Sequence, residues 1–321
     1  MSGIQCPICP RSCTLSEGQF GACGVRTARD GKVVFAEEGM LSSIHVDPIE
    51  KKPMHHFYPG CGALSIGSFG CNLMCRGCQN NSISRAKAEG GFRLPPKRIV
   101  AEAVNYNCPV IAYTYNEPIV WGEFVAETAR YVRAAGLKNV IVTAGYVTEK
   151  TREWLFENID GANVDLKGFS DEFYKSWANG TLQPVLETLE YLHSLPDFWL
   201  EITTLIIPGI NDSRQMLENE FAWIVEHLGR DVPVHLSAFH PAHKAMDIAR
   251  TPTETIEMAA ALAREAGLHY VYPGNVALTA DTRCPQCRNV LVRRTGYRIA
   301  IAGLKGDRCE LCGCKIAGRW R

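Results

Sequence analysis

The sequence predicts an α/β fold: a partial, TIM-like (β/α)6 barrel with small cysteine-rich, metal-binding modules at its N- and C-terminal ends. Three observations carry this. Six short runs rich in Val, Ile, Thr and aromatic residues recur through the middle of the chain. Amphipathic segments separate them. All 14 cysteines except Cys108 fall into three clusters.

The six strand candidates are GALSIGS (62–68), VIAYTY (110–115), NVIVTAG (139–145), GANVDLK (161–167), FWLEITTLII (198–207) and VPVHLSAF (232–239). Several are almost continuously apolar, as strands buried on both faces of a parallel sheet are. Helix candidates lie between and after them. Segment 95–107 has proline near its start and an apolar stripe at Ile99, Val100 and Val104. Segment 120–136 ends on Gly136, a suitable cap. Segments 148–159, 182–195, 213–229 and 251–268 continue the alternation. Repeated strand–helix units require right-handed crossovers and a parallel sheet, with the working face at the strands' C-terminal ends. Six units fall short of the eight of a closed barrel, so the barrel is expected to be open. Shifts to Cys-, Gly- and Pro-rich sequence divide the chain into an N-terminal cysteine-rich module (1–60), the barrel (61–278) and a zinc-ribbon-like module (279–321).

Lys+Arg and Asp+Glu both number 34, which removes any general attraction to nucleic acid or a membrane surface. The start, MSGIQCPICP, lacks the apolar core of a signal peptide, and no apolar run approaches the roughly 20 residues of a membrane helix. The expected location is the cytoplasm. There, disulfides are rare, so cysteines at close, repeated spacings read as metal ligands.

CNLMCRGCQN (71–80) sets Cys71, Cys75 and Cys78 at C-x3-C-x2-C. Three readings compete. The i, i+4, i+7 spacing would put the cysteines on one face of a packed helix, but Gly70, Asn72, Gly77 and Asn80 are poor helix formers. A zinc tetrahedron would need Cys61 or a distant histidine as its fourth ligand. A cubane iron–sulfur cluster held by three thiolates would leave one iron open for a substrate or cofactor.

Cys-x3-Cys-x2-Cys on the loop after the first barrel strand resembles the radical S-adenosylmethionine (SAM) enzymes. The resemblance implies a [4Fe-4S] cluster whose open iron is chelated by the amino and carboxylate groups of SAM. Reductive cleavage then gives a 5′-deoxyadenosyl radical that abstracts a hydrogen atom from substrate. It also implies an external electron donor of the flavodoxin or ferredoxin kind. YTYNEP (113–118) sets Asn116 and Glu117 where the glycyl-radical activases of this family carry a motif for the SAM amine. VDLKGF (164–169) resembles their Asp-Leu-Lys motif, which implies roles for Asp165 and Lys167 on the ribose hydroxyls and the methionine carboxylate. LIIPGIND (205–212) resembles the loop behind the adenine, and AFHP (238–241) offers His240, with His235 second, as a SAM contact.

Together with EKKPMHHFYPG, these stretches and the cysteine-rich ends resemble one subgroup, the AmmeMemoRadiSam-system enzymes, often labelled pyruvate formate-lyase activating enzyme homologues. That likeness implies AMMECR-domain and Memo-like partners. Two departures stand out: Gly77 replaces the usual aromatic before the third cysteine, and Thr143-Ala144-Gly145 replaces Thr-Asn-Gly. The alternatives are a glycyl-radical activase and an RNA-modifying enzyme using the basic C-terminal segment (Arg288, Arg293, Arg294, Arg298, Lys305, Arg308).

At the C-terminus, Cys284 and Cys287 are separated by 21 residues from Cys309 and Cys312, the two-knuckle pattern of a four-thiolate zinc site. At the N-terminus, Cys6, Cys9, Cys13 and Cys23 are expected to bind zinc or an auxiliary [4Fe-4S] cluster.

Overall fold

The computed structural model describes residues 3–84 and 90–320. Eight strands form the central sheet: β1 (Ser43–Pro48), β2 (Gly62–Gly67), β3 (Val110–Tyr113), β4 (Lys138–Thr143), β5 (Gly161–Asp165), β6 (Trp199–Ile206), β7 (Val234–Ala238) and β8 (Val271–Gly274). They lie side by side in chain order. β2 to β8 are all parallel, and β1 joins β2 antiparallel, Ser43 opposite Gly67. The sheet therefore ends on β1 and β8 and remains open between them, as a partial barrel does.

Six helices make the crossovers: α1 (Pro96–Asn105), α2 (Gly122–Ala134), α3 (Glu149–Leu155), α4 (Gln183–Ser194), α5 (Arg214–Leu228) and α6 (Thr253–Glu265). Their inward stripes are fully buried, for example Val125, Ala129 and Val132 on α2 and Leu217, Phe221 and Ile224 on α5. The six expected strands and six expected helices are all present. β1 and β8 are additions. β8 hides in VYPG, where Pro273 and Gly274 read as a turn; a proline is tolerated there because β8 is a sheet edge.

The boundary expected at residue 60 falls between two strands of one sheet. The N-terminal segment also packs closely on the barrel. The buried Arg26 guanidinium donates to Glu123 (2.8 Å) and to the Val120 carbonyl (3.2 Å), tying the hairpin Arg26–Arg29/Lys32–Phe35 to α2. The C-terminal ribbon contains an antiparallel sheet of Thr282–Arg283, Val290–Thr295 and Arg298–Ile301.

That ribbon closes the floor of the barrel, at the strands' N-terminal ends. Arg294 is buried and donates to the carbonyl of His55 (2.7 Å) and to the Thr282 hydroxyl (2.7 Å). It therefore does not belong to an exposed basic face. Burial holds His56 near 4, hence neutral; its Nδ1 donates to the Ala317 carbonyl (2.6 Å) and its Nε2 accepts from the Tyr272 hydroxyl. Glu201 on β6 accepts from the backbone N–H groups of His55 and His56 (2.9 and 2.8 Å), from Trp199 Nε1 (3.0 Å) and from His235 Nε2 (2.6 Å). No helix among the described residues is long and apolar enough to cross a membrane.

Candidate active site

The C-terminal ends of the barrel strands converge on a cavity of about 510 Å³. Its walls include Cys71, Cys75 and Cys78 from the loop after β2, Glu117 after β3, Thr143 and Ala144 at β4, and Asp165 and Lys167 at β5. A second hollow, of about 650 Å³, is lined by Lys138, Asp160 and Phe198 at the opposite strand ends, away from all of these groups.

The cysteine loop is held from below and from the side. Asn116 Oδ1 accepts from Ser68 N (2.9 Å), while Nδ2 donates to the carbonyls of Phe69 (2.8 Å) and Gly70 (2.9 Å). Its side chain is thus occupied in positioning the loop. Gly70 has φ +83°, and a Cβ there would lie 2.6 Å from Val25 and 2.7 Å from the Cys23 carbonyl, so only glycine allows the N-terminal module to press on the loop. Farther along, Met74 N donates to the Ala178 carbonyl (2.7 Å) and Arg76 N to the Trp177 carbonyl (3.0 Å).

Glu117 is buried. It accepts from the Thr143 hydroxyl (2.5 Å), from Ala144 N (2.8 Å) and from Ile119 N (3.2 Å). Burial still outweighs these bonds and holds its carboxyl above the usual carboxylate range. A buried carboxylate of this kind favours a cationic ligand. Asp165 Oδ2 accepts from Lys167 Nζ (2.9 Å), an ion pair on the cavity wall. Burial acts against the Lys167 ammonium, but Asp165 and Cys75 keep its pKa above the ordinary value. Burial, then the nearby Glu117, push the Cys71 thiol up, so ligation as thiolate needs a compensating cation. Asn211 joins β5 to the loop after β6: Oδ1 accepts from Ile207 N (2.7 Å) and Nδ2 donates to the Lys167 and Leu205 carbonyls (both 2.8 Å).

The family model of the radical SAM superfamily matches residues 65–221, the span from β2 to α5 that carries the cysteine loop and this wall. The chain belongs to the radical SAM superfamily. A Methanocaldococcus jannaschii relative, described as uncharacterized protein MJ0808, is 41% identical over 319 residues, 98% of this chain and 95% of its own. Two solved structures are similar at lower identity. Streptococcus suis SuiB bound to S-adenosylmethionine has TM-score 0.54 and 11% identity, over 71% of this chain and 53% of that one. A radical SAM methyltransferase from Sphaerobacter thermophilus has TM-score 0.51 and 16% identity, over 68% and 67%. At these identities the likeness shows the fold alone.

Radical SAM membership implies a [4Fe-4S] cluster and SAM, and the donor set fits both. Three thiols face a cavity that also presents a carboxylate favouring a cation and a lysine–aspartate pair. Cys61 cannot complete the set: it precedes β2 and packs with Ile49, Met54 and Phe57 at the floor, a six-residue strand (~20 Å) from the loop. His240 does not line the cavity; Phe239 before it is buried and donates its N–H to Thr251 Oγ1 (2.8 Å), and Lys244 N farther on donates to the Arg76 carbonyl (2.9 Å). His235 belongs to the floor network.

Sequence reasoning missed Trp177. A Cβ on Gly77 would lie 2.9 Å from Trp177 and 2.8 Å from Phe239, so the space of the missing aromatic is filled from the loop after β5. Trp177 lines the cavity. Nothing in YKSWANG marks it for that place. Lys51, Lys52, Tyr115, Thr203, Ser237 and Asn275 also line the cavity without having been singled out.

The C-terminal cysteines are the other assembled site. The sulfurs of Cys284, Cys287, Cys309 and Cys312 lie within 4.8 Å of one another, with 3.6 Å between Cys284 and Cys312 and between Cys287 and Cys309. Four sulfurs at about 2.3 Å from one ion in a tetrahedron would be ~3.8 Å apart, so a single metal ion fits. Among the described residues, neither Cys71, Cys75 and Cys78 nor the N-terminal four draw three sulfurs that close. A cubane spaces its ligands more widely, since separate irons bind them. Cys6, Cys9 and Cys23 are buried and Cys13 half-buried in one hairpin region, where Cys6 N donates to the Cys13 carbonyl (2.8 Å).

Proposed function

We propose that this chain binds a [4Fe-4S] cluster through Cys71, Cys75 and Cys78, holds SAM beside it, and abstracts a hydrogen atom from a substrate. The observation that carries this is the single cavity shared by the three thiols, Glu117 and the Asp165–Lys167 pair. When bound, the cluster and SAM supply a 5′-deoxyadenosyl radical after one-electron reduction. The chain's own residues supply position and enclosure. Glu117 accepts the SAM ammonium, because a charge-assisted bond offsets its buried carboxylate. Lys167 pairs with the methionine carboxylate and Asp165 with the ribose hydroxyls. Trp177 forms the apolar wall beside the cysteine loop. The surrounding strand ends exclude water.

The C-terminal four-thiolate site is read as zinc, which the sulfur spacing supports. The N-terminal four cysteines are read as a second structural zinc site. A flavodoxin- or ferredoxin-like protein is the proposed reductant. AMMECR-domain and Memo-like proteins are proposed partners, a reading supported by the whole-chain subgroup resemblance.

The test is anaerobic reconstitution with iron and sulfide, then dithionite and SAM. Wild type is expected to form 5′-deoxyadenosine and Cys75→Ala none. Undiminished product from Cys75→Ala would sink the proposal. Metal analysis is expected to find iron near four and zinc near two per chain; iron near eight overturns the zinc reading of the N-terminal site.

A further inference from the structure

The cavity has an end that the groups assigned to SAM do not use. It lies toward the open edge of the sheet, where Lys51 and Lys52, which follow β1, complete the wall. Both lysines bind one carboxylate. Asp47 Oδ1 accepts from Lys51 Nζ (2.9 Å), and Oδ2 accepts from Lys52 Nζ (2.8 Å) and from the Tyr115 hydroxyl (2.6 Å). Two ammoniums on one aspartate leave one positive charge unmatched. Glu50, between them and the strand, is turned to Gly60 N (2.7 Å).

This is a built arrangement and not a solvated ion pair. The Lys52 side chain is 3% exposed and Asp47 is buried. The Lys52 ammonium sits 4.5 Å from the centre of the Tyr115 ring. Tyr115 reaches that position from a backbone with φ +70°, a conformation bulky residues rarely adopt. On the β6 wall of the same cavity, Thr203 is only 9% exposed, and its hydroxyl has no hydrogen-bond partner among the described residues. A buried orphan hydroxyl and an unmatched ammonium both call for an acceptor.

We propose that this end of the cavity binds the substrate of the radical reaction, and that the substrate is a small molecule bearing a carboxylate or phosphate group, held by Lys51. This substrate class rests on the radical SAM reading above. Lys51 is half-exposed and free to swing from Asp47 onto an arriving anion, while Lys52 stays to neutralise the aspartate. Thr203 donates to the same ligand from across the cavity.

The direct test is competitive lysine labelling of the reconstituted, SAM-loaded full chain with acetic anhydride, read residue by residue by mass spectrometry. Malonate and inorganic phosphate serve as the two probes, and Lys175, exposed on the surface, as the internal reference. One probe is expected to slow Lys51 labelling roughly fivefold relative to Lys175, and which one does so separates carboxylate from phosphate. A ratio of Lys51 to Lys175 labelling that neither probe changes overturns the proposal, whatever the outcome with SAM. A second measurement follows 5′-deoxyadenosine formation with small-molecule extract fractionated on an anion exchanger. Stimulating activity is expected in the retained fraction, with Lys51→Glu needing roughly tenfold more of it than wild type. Stimulation confined to the flow-through or to material too large to enter the cavity, or absent from every fraction, counts against the anionic substrate. Wild type that cleaves no SAM counts against the radical SAM reading instead, and the labelling result then stands alone.

Discussion

Two residues show how single positions shape this site. Gly77 and Trp177 compete for one volume: a methyl group at Gly77 would sit under 3.0 Å from both Trp177 and Phe239. Gly77→Ala should therefore displace the Trp177 ring and weaken SAM binding by about tenfold, read by equilibrium dialysis of the cluster-loaded protein. Trp177→Phe in the same background should recover part of the loss; unchanged affinity in Gly77→Ala would remove Trp177 from the cofactor wall. Asn116 is the second case. It reads in the sequence as a ligand-binding amide, but its three bonds run to Ser68, Phe69 and Gly70. Asn116→Ala leaves those backbone groups without partners, at about 1–3 kcal/mol. The expected result is iron lost on desalting, with the ultraviolet circular dichroism of the fold retained. The three cysteines and the Asp165–Lys167 spacing were readable because ligand sets and strand alternation are local patterns. Trp177 was not, because its place depends on a loop returning from another strand.

At the scale of elements, β6 ties the barrel together on both faces. Glu201 points to the floor and collects four donors from three segments. Thr204, next but two, faces outward and bonds Glu220 of α5, which is fully buried. Burial pushes the Glu220 carboxyl up to about 8 from an ordinary 4.5. A raised folded-state value means that stabilisation from the protonated form is complete below pH 4.5 and is lost as pH rises through about 8. Glu220→Gln cannot ionise. The gap between its melting temperature and that of wild type should therefore shift in the variant's favour between pH 6 and pH 9; a pH-independent gap would show that Glu220 does not carry this effect. β1 and β8 are the elements the sequence did not announce. Each is an edge strand, exposed on one side, so neither shows the continuous apolar run by which the central strands are recognised.

For the whole molecule, the C-terminal ribbon acts as the barrel's floor. Trp320 lies 5.0 Å from the His56 ring, Arg319 N donates to the His56 carbonyl, and Arg294 reaches the His55 carbonyl and Thr282. Removing the metal proposed for its four cysteines should therefore unsettle the barrel as well as the ribbon. Cys309→Ser is expected to lose the ribbon's metal and lower the melting temperature by several degrees, with faster amide exchange at His55 and His56. A ribbon that unfolds with the barrel unchanged would contradict this.

The alternation of strands and helices, the three-thiol loop, the carboxylate and lysine–aspartate positions, and the four-cysteine ribbon were all legible in the amino-acid order. These depend on spacings of a few residues, which covalent geometry converts directly into shared faces and ligand sets. It took the packed fold to show that His240 does not line the cavity, that Asn116 holds a loop, that Arg294 is buried in the floor, and that Lys51, Lys52 and Thr203 line one cavity with the cysteines. Those outcomes depend on the curvature of the sheet and the return of its loops, which bring together residues from well-separated parts of the chain, and no local pattern encodes such contacts.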